Sequence, residues 1–405
     1  MDRPTSRKVL LYHKRSNSLF GGDCYLPLAF AAALQRDHEV TVVLNGDFDM
    51  ASAAKTFGLD IDMSRLNIVR MPSGGSPAGA RGFLGQLRDA RRLKELARDF
   101  DVCISTLNVV DFGKPGHHFI CSLNGIEGKA FQDYVANVRT RTGLRRLGRK
   151  ISTWARENIV KPLFGVRPVR KIITDANERV YPTSRYVEET MRGYFGPFNG
   201  TVFYPPTTSE FTARDMPRDP LKVVYVGRIF PAKRLTDIIA IVERARALSG
   251  QELTFDVAGE LPPIPYSETL RQLAAEKPWL RLMGPVYGED KERFMLSGTY
   301  AVHAERDETF GICISEYLKA GIIPVVPDGG GAREVANQPA LTYHARETGA
   351  EILARLVKDE SFREEQRRRC EERAKVFSCE AYMKRQHELL ETIVTSQAPI
   401  GKGRG

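Results

Sequence analysis

The sequence alternates short apolar segments with longer amphipathic ones, and this alternation runs through the chain twice. In the first run, apolar segments at residues 9–12, 40–44 and 102–105 have the length and composition of buried strands. Helical patterns at residues 25–35 and 87–99 lie between them, and further strand patterns follow at 118–123, 179–182 and 201–204. The end of the chain, at about 362–393, has a helical and heavily charged pattern. Repeated alternation of this kind predicts parallel sheets flanked by helices, an α/β fold class.

The alternation pauses in an aperiodic stretch with prolines and aspartates before Pro220, and then starts again. Strand patterns of the second run lie at residues 223–226, 254–258, 280–283, 301–303 and 323–326. A chain of 405 residues fits two domains of ordinary size. We predict domains at residues 1–205 and 206–380, and at 381–405 a tail and a C-terminal helix that returns to the first domain.

The composition is that of a globular protein, with 42% hydrophobic and 27% charged residues. No apolar run approaches the roughly eighteen residues of a membrane-spanning helix, and residues 1–8 lead directly into a strand pattern, so we expect no signal peptide. The six cysteines form no C-x-x-C pair and no Cys/His cluster. They are therefore interpreted as thiols of a reducing cytosol, without a structural zinc site.

The net charge of +10 is concentrated in the first half of the chain. Residues 1–205 carry 31 Lys and Arg against 20 Asp and Glu, whereas the rest carry 29 against 30. Between residues 139 and 171 a run of basic residues faces a single acid, Glu157, and apolar residues including Trp154 recur at helical spacing. This pattern favours contact with an anionic membrane surface. The alternatives are a solvated helix packed on its own domain and a nucleic-acid patch, for which no recognised motif is present.

Two carboxylates stand eight residues apart across a glycine, at Glu308 and Glu316. If Phe310 and Gly311 open a helix, Glu308 lies on the loop before it and Glu316 about two turns in. Free N–H groups at a helix start face an anion, and the flanking carboxylates can accept sugar hydroxyls. This arrangement fits a nucleotide-linked sugar, although an isolated pair of acids at this spacing is also common on a capped surface helix.

Basic residues and glycines follow the predicted strands. Arg228 and Lys233 come directly after the strand pattern at 223–226, where they can clamp a diphosphate. Gly21-Gly22 follows the first strand and Gly259 follows the strand at 254–258, and both let the backbone approach a phosphate, sugar or base. Taken singly, each of these features also fits a solvated turn.

Together these motifs resemble one family, the retaining glycosyltransferases of the GT-B fold, family 4. The resemblance covers most of the chain and rests on the order and spacing of motifs that are individually weak. The motifs are Gly21-Gly22, Tyr181-Pro-Thr-Ser184, Tyr204-Pro-Pro206, Gly227-Arg228 with Lys233, Val257-Ala-Gly-Glu260, Glu308 with Glu316, Gly321, and Gly330-Gly331. The resemblance implies two Rossmann-like domains that face each other across a cleft, the first for the acceptor and the second for the nucleotide sugar.

The resemblance also implies the chemistry. A hexose would pass from a nucleotide-diphospho-sugar, GDP-mannose or a UDP-hexose, to a lipid-linked or membrane-associated glycan acceptor, with retention of the anomeric configuration. Arg228 and Lys233 would neutralise the leaving diphosphate, Glu316 would bind the ribose, and Glu308 would position the transferred sugar. The other donor-binding positions are Gly21, Gly22, Gly259, Val286, Thr309, Phe310, Gly311 and Ile312. Because the basic pair does the electrostatic work of a metal, we expect neither a metal nor a further cofactor.

The chain departs from the family pattern at one position. The family commonly places a histidine at the end of a first-domain strand, near the transferred sugar. Here the strand at 119–123 ends at Asn124, while His117 and His118 precede it. We expect Asn124 to replace the histidine, with His118 acting through a shifted loop as the alternative.

The predicted protein is thus a cytoplasmic enzyme that is peripheral on the cytoplasmic face of a membrane and binds no nucleic acid. Two other functions fit the same motifs. A nucleotide-sugar 2-epimerase would use the diphosphate clamp without an acceptor, and a non-catalytic nucleotide-sugar-binding protein would not need Glu308 for its role.

Overall fold

The structure is a computed structural model that describes residues 6–14, 24–46, 48–71, 80–123, 126, 154–207, 209, 211 and 216–396. The chain forms two compact units. Unit 1 comprises Met1–Pro206 and Met383–Gly405, and unit 2 comprises Thr207–Tyr382. Each unit is built around one parallel sheet, and helices connect the successive strands except β4 and β5, which are joined by a loop.

The sheet of unit 1 has the strand order β3-β2-β1-β4-β5-β6, and every described pairing is parallel. Its strands are β1 Lys8–Lys14, β2 Glu39–Asn45, β3 Leu66–Met71, β4 Val102–Ser105, β5 His117–Ile120 and β6 Arg179–Pro182. The interior residues of β1 and all of β4 are buried, as expected for the centre of a sheet covered on both faces.

Two helices of unit 1, Met50–Thr56 and Arg185–Phe195, begin at side chains that satisfy their free N–H groups. Asp49 accepts hydrogen bonds from the N–H groups of Ala51 and Ser52, and Ser184 accepts one from Val187. The described helices are α1 Tyr25–Leu34, α2 Met50–Thr56, α3 Ala80–Ala97, a π-helical turn Arg156–Val160 that runs into α4 Lys161–Leu163, α5 Val169–Ile173 and α6 Arg185–Phe195, with a 3-10 turn at Met63–Arg65.

The sheet of unit 2 has the order β12-β11-β10-β7-β8-β9, again with parallel pairings throughout the described strands. Its strands are β7 Lys222–Val226, β8 Thr254–Ala258, β9 Leu280–Gly284, β10 Tyr300–Val302, β11 Ile323–Pro327 and β12 Thr342–Tyr343. Its helices are α7 Leu235–Ser249, α8 Pro265–Glu276, α9 Gly288–Leu296, α10 Ile312–Lys319, α11 Gly330–Ala336, α12 Arg346–Lys358 and α13 Glu360–Ala374. Three 3-10 turns complete it, at Pro231–Lys233, Pro339–Leu341 and Lys375–Phe377.

The last described helix, α14 Cys379–Ser396, begins in unit 2 and continues into unit 1. Within unit 1 its Gln386 side chain donates a hydrogen bond to the carbonyl of Ala29. Both groups are buried in that unit.

The two sheets have the same topology. Numbered from its own first strand, each has the order 3-2-1-4-5-6, so the strand order reverses between β1 and β4 in unit 1 and between β7 and β10 in unit 2. The predicted pair of Rossmann-like parallel sheets is therefore confirmed. In sheets of this kind, ligands bind beyond the carboxyl ends of the strands at the point of reversal.

The segment at residues 201–204, predicted as a strand, is not one. Gly200 makes a single bridge to Val180, and Phe203 donates one backbone hydrogen bond to Pro182. The next two residues are Pro205 and Pro206, which have no N–H group and cannot extend the pairing. Phe203 instead packs its ring against Phe119.

The sequence pattern did not predict two of the strands, and it did not show one break between two helices. β3 is an edge strand with several exposed residues, and β12 is only two residues long, so neither gives a strong apolar pattern. The helical region predicted at 362–393 is divided into α13 and α14 by the 3-10 turn Lys375–Phe377. Among the described residues no helix combines the length and the apolar character needed to cross a membrane.

Candidate active site

The candidate site lies where the strand order of unit 2 reverses. β7 and β10 are neighbours in the sheet, and each is followed by one of the motifs that the sequence singled out. The loop after β7 leads into the 3-10 turn Pro231–Lys233, and the loop after β10 carries Glu308 to the start of α10. The topology therefore brings Lys233 and Glu308 together, although they are 75 residues apart in the chain.

The centre of the site is an ammonium held by two carboxylates. Lys233 Nζ donates a hydrogen bond to Glu308 Oε2 at 2.5 Å, and Glu305 Oε2 lies at the same distance. The contact between Lys233 and Glu305 is an ion pair, but its angles are not those of a hydrogen bond. The side chains of Lys233, Glu305 and Glu308 are 19%, 18% and 16% exposed, so the cluster is largely desolvated but still reachable from solvent.

The surroundings shift the pKa values of this cluster in opposite directions. Burial lowers the pKa of Lys233, but the Glu308 and Glu305 carboxylates outweigh this effect and the pKa is raised. Burial is the largest influence on Glu308 and raises its pKa, but the electrostatic effects of Lys233 and His303 together with the hydrogen bonds of the cluster outweigh burial, so the pKa is lowered. Burial, followed by the nearby Glu308 charge, raises the pKa of Glu305 to about 7. Glu308 is therefore the ionised partner of Lys233, and Glu305 is the acid that most readily holds a proton.

His303 closes the cluster on its buried side. Its Nε2 lies 3.7 Å from Glu308 Oε2, and burial lowers its pKa to about 4, so the ring is neutral near pH 7. The ligand atoms of His303, Glu305 and Glu308 all lie within 4.8 Å of one another, a spacing that suits a metal ion. However, Lys233 Nζ already lies between the two carboxylates, so the cluster contains its own cation.

The second acid of the predicted pair has separate partners. Glu316 lies on α10 and is 5% exposed. Its Oε1 makes an ion pair with Lys291 at 2.5 Å and accepts a hydrogen bond from Ser209 at 2.5 Å. Lys291 is on α9, so this carboxylate is held between two helices of unit 2.

Glycines position the loops around these acids. The N–H group of Gly331 donates to the Glu308 carbonyl at 2.6 Å, and a Cβ on Gly331 would lie 2.5 Å from the carbonyl oxygen of Thr309. A Cβ on Gly259 would lie 2.1 Å from the carbonyl oxygen of Gly227. Gly311 has φ 89° at the start of α10, a conformation that favours glycine. The glycines therefore act here by permitting close backbone approach.

The remaining predicted donor residues of unit 2 border these loops. Arg228 is exposed, and its guanidinium lies 6.0 Å from the ring centroid of Phe230. Val286 is half-buried in the turn between β9 and α9. The Phe310 side chain is buried against Phe377, with ring centroids 5.9 Å apart. Thr309 and Ile312 are half-buried on either side of the buried pair Phe310 and Gly311.

The predicted residues of unit 1 are placed differently. Gly21, Gly22 and Asn124 lie outside the described residues. His118 is fully buried, and its Nε2 is 2.9 Å from Glu178 Oε2. Its ring is stacked on Phe112.

Sequence reasoning missed four residues of the site: His303, Glu305, Ser209 and Lys291. Glu305 was within reach, because it lies three residues before Glu308 in a run of charged residues after a predicted strand. Lys291 was not, because a lysine in a charged helix gives no sign that it contacts a carboxylate 25 residues away.

The part of the chain that contains this site matches a family of known proteins. Residues 207–377 match the family model described as glycosyl transferases group 1. The phosphatidylinositol N-acetylglucosaminyltransferase GPI3 subunit of Saccharomyces cerevisiae strain YJM789 is 27% identical over 156 residues, which are 38% of this chain. The match spans only about a third of that protein, 34% of its length.

Solved structures share the fold of nearly the whole chain. Sucrose-phosphate synthase from Thermosynechococcus elongatus aligns with a TM-score of 0.66 and 15% identity, covering 96% of this chain and 100% of that one. HepE from Anabaena, in complex with UDP and glucose, aligns with a TM-score of 0.61 and 13% identity over 96% and 100% of the two chains. Residues 207–377 therefore form a domain of the glycosyl transferases group 1 family, in a chain that has the GT-B fold expected from its sequence.

Proposed function

We propose that this protein is a retaining glycosyltransferase of family 4 that moves a hexose from a nucleotide-diphospho-sugar to a lipid-linked or membrane-associated glycan acceptor. The observation that carries the proposal is the Lys233–Glu308 pair at the strand reversal of the group 1 domain. A half-buried ammonium beside an ionised carboxylate suits a substrate that is anionic at its leaving group and hydroxylated at its sugar.

In this mechanism the diphosphate leaves toward cations. Lys233 and the exposed Arg228 offset the charge that develops on the leaving diphosphate, which is the task a divalent metal performs in other transferases. Glu308 accepts hydroxyls of the transferred sugar and stabilises the oxocarbenium-like transition state, without forming a covalent intermediate. The first N–H groups of a helix have no acceptor within it, so those of Ile312 and Cys313 at the start of α10 can also bind the sugar or phosphate.

Glu316 binds the ribose in the same proposal. Its contacts with Lys291 and Ser209 both use Oε1, and a ribose hydroxyl would donate to Oε2. The two contacts fix the orientation of the carboxylate before the donor arrives, which lowers the entropy lost on binding.

The relatives favour a UDP-linked donor and a lipid acceptor. The HepE structure contains UDP and glucose, and the yeast relative is named for N-acetylglucosamine transfer to phosphatidylinositol. Both support the UDP-hexose alternative over GDP-mannose and an acceptor that resides in a membrane.

The basic segment of unit 1 supplies a membrane contact. Trp154, Ile159 and Leu163 are 59%, 46% and 78% exposed around the π-helical turn. Glu157, the single acid of the 139–171 run, is buried, and it is paired with Lys161 at 2.6 Å. Because this acid is already neutralised by Lys161, it does not oppose the approach of an anionic lipid surface. We propose peripheral binding to the cytoplasmic face of a membrane.

A thermal-shift panel of UDP- and GDP-sugars, followed by product analysis, tests the proposed activity. A donor at a hundred times its Kd should stabilise the folded protein by about 2.7 kcal/mol. Transfer should require an added acceptor and should retain the anomeric configuration. Conversion of the donor without an acceptor would indicate the 2-epimerase instead, and donor binding without any product would indicate the non-catalytic protein.

Vesicle sedimentation tests the membrane contact. Replacing Trp154 and Leu163 by Gln should reduce binding to vesicles that contain phosphatidylserine, whereas the control Met283→Gln, which alters a residue 51% exposed in unit 2, should not. Neutralising Arg145, Arg146 and Arg149, which lie outside the described residues, should weaken binding further, by about 1 kcal/mol for each charge. Equal sedimentation of all variants would refute the contact.

A further inference from the structure

Glu305 has no role in the transfer described above, yet it lies inside the site. Its Oε2 is as close to Lys233 Nζ as that of Glu308, 2.5 Å in both cases. We propose that Glu305 is a positioning residue of the donor site, which holds Lys233 back from an incoming diphosphate until the carboxylate takes up a proton. This inference rests on the proposed function, since it describes how the ammonium becomes available to the leaving group.

The charges of the cluster do not balance. Lys233 is the cation between the two carboxylates of Glu305 and Glu308, and the neighbouring His303 is neutral because burial lowers its pKa to about 4. With both acids ionised the cluster carries a net negative charge, which opposes the approach of a diphosphate. Arg228 does not correct this imbalance, because it is exposed and forms no ion pair with the described acids.

The geometry of Glu305 favours the protonated form. Its Oε2 is buried and has no aligned hydrogen-bond partner among the described residues. A protonated carboxyl group can donate a hydrogen bond to the nearby Glu308, whereas two ionised carboxylates repel each other. One ammonium does not balance two carboxylates, so the cost of desolvating the second negative charge is relieved when Glu305 is neutral.

The other groups around Glu305 do not take up the proton in its place. Tyr225 of β7 and Cys313 of α10 are already protonated, because burial raises the pKa of Tyr225 far above its usual value and that of Cys313 to about 12. Glu308 stays ionised, because the Lys233 charge lowers its pKa. Glu305 is therefore the group that takes up the proton, because burial and the Glu308 charge raise its pKa to about 7.

Donor binding then proceeds as an exchange of partners. The Lys233 ammonium turns from the carboxylates to the phosphates, and a proton from solvent neutralises Glu305. Glu308 remains ionised and faces the sugar. No covalent bond is made or broken, and above about pH 7 each bound diphosphate is accompanied by the uptake of about one proton.

Calorimetric titration of the full chain with UDP and with GDP tests the inference, in buffers of different ionisation enthalpy. The wild-type Kd should weaken about tenfold between about pH 7 and about pH 8.5, with net proton uptake. In Glu305→Gln the Kd should be nearly independent of pH over this range and proton uptake should be lost. Glu305→Asp keeps a carboxylate and should retain the pH dependence, and the control Glu289→Gln, at a residue 87% exposed, should behave as the wild type.

The possible results separate this inference from the proposed function. Titration of the nucleotide itself is the same with every variant and cancels in the comparison. Binding by the wild type with the same pH dependence in Glu305→Gln would overturn the role of Glu305 and leave the donor site intact. Failure of the wild type to bind either nucleoside diphosphate at any pH would overturn both.

Discussion

The two sheets have the same strand order, but the charged clusters associated with them are built in opposite ways. In unit 1, Glu178 and Asp111 are 1% exposed and share the Arg167 guanidinium, at 2.7 and 2.8 Å. Glu178 also accepts hydrogen bonds from the Gly116 N–H group and pairs with His118. In unit 2, two half-buried carboxylates share one ammonium and little else.

The two clusters also lie at opposite ends of their strands. The unit 1 cluster lies at the amino ends of β5 and β6, since Gly116 and Glu178 directly precede them. The unit 2 cluster lies at the carboxyl ends of β7 and β10, where doubly wound sheets bind ligands. A cluster whose acids are buried and share several partners stabilises the fold, whereas a cluster with a surplus acid beside one ammonium can exchange partners with a substrate.

The largest expected effect is on the stability of unit 1. Glu178→Ala removes the partner of Arg167 and His118 and leaves buried polar groups unpaired, so unit 1 should lose about 3–5 kcal/mol of unfolding free energy. Hydrogen exchange read by mass spectrometry should show faster exchange in peptides of β5 and β6, with unit 2 peptides less affected. Unchanged protection of β5 and β6 would mean that this cluster is not structural.

The next effect is on turnover. Lys233→Ala should reduce kcat/KM by about 10²–10³-fold with little loss of thermal stability, because it removes a cation that acts on the leaving group. Lys277→Ala is a matched control, since Lys277 is also 19% exposed and pairs with a glutamate of unit 2. Near-normal turnover in Lys233→Ala would contradict the contrast between the clusters.

A smaller effect is expected where the backbone supports the site. In Gly259→Ala the new Cβ would meet the Gly227 carbonyl at 2.1 Å, so the loop after β7 must shift. We expect a loss of about 1–3 kcal/mol in stability together with weaker donor binding. Gly250→Ala introduces strain at φ 68° but meets no atom within 4 Å, so it should cost stability without affecting the donor. Equal donor affinity in both variants would separate Gly259 from the site.

The last expected effect is gradual and concerns the pH dependence of unit 2 stability. Burial lowers the pKa of His303 to about 4 from its usual 6.5, so between these values only the unfolded chain binds the proton. Stability should fall as the pH decreases through this window, by about 1.4 kcal/mol per pH unit from this group. His303→Asn should remove that contribution, measured as thermal midpoints by Trp279 fluorescence in a Trp154→Phe background. An unaltered slope would show that His303 is not buried in the neutral form.

Most of the fold could be predicted from the sequence because its central strands are continuous apolar runs. β4 and β8 begin and end at the predicted residues, and α10 begins where Gly311 was expected to open it. The edges were harder. β3 has exposed positions, and β12 is too short to show a period, so their place in the sheet depends on tertiary pairing.

The sequence allowed prediction mainly of those site residues that are charged and lie in the loop after a strand. Lys233 and Glu308 each follow a central strand, and the strand order brings them into contact. The pairing of Glu316 with Lys291 depends instead on how α9 packs beside α10, which no local pattern encodes. Glu305 was overlooked because its significance depends on Lys233 having a second partner. That contact is a distance between two atoms in the folded protein, and spacing along the chain does not show it.

The start of α11, at Gly329–Gly331, has a consequence for how this enzyme could diversify. The loop that carries Glu308 packs against this helix start, and Cβ atoms at Gly330 and Gly331 would lie 2.6 and 2.5 Å from the carbonyl oxygens of Arg306 and Thr309. Any side chain there would displace the loop that carries the Glu308 carboxylate. Changes of donor preference are therefore expected at positions that tolerate a side chain, such as the half-buried Thr309. The three glycines are expected to remain glycine, because any Cβ there would clash with the backbone of this loop.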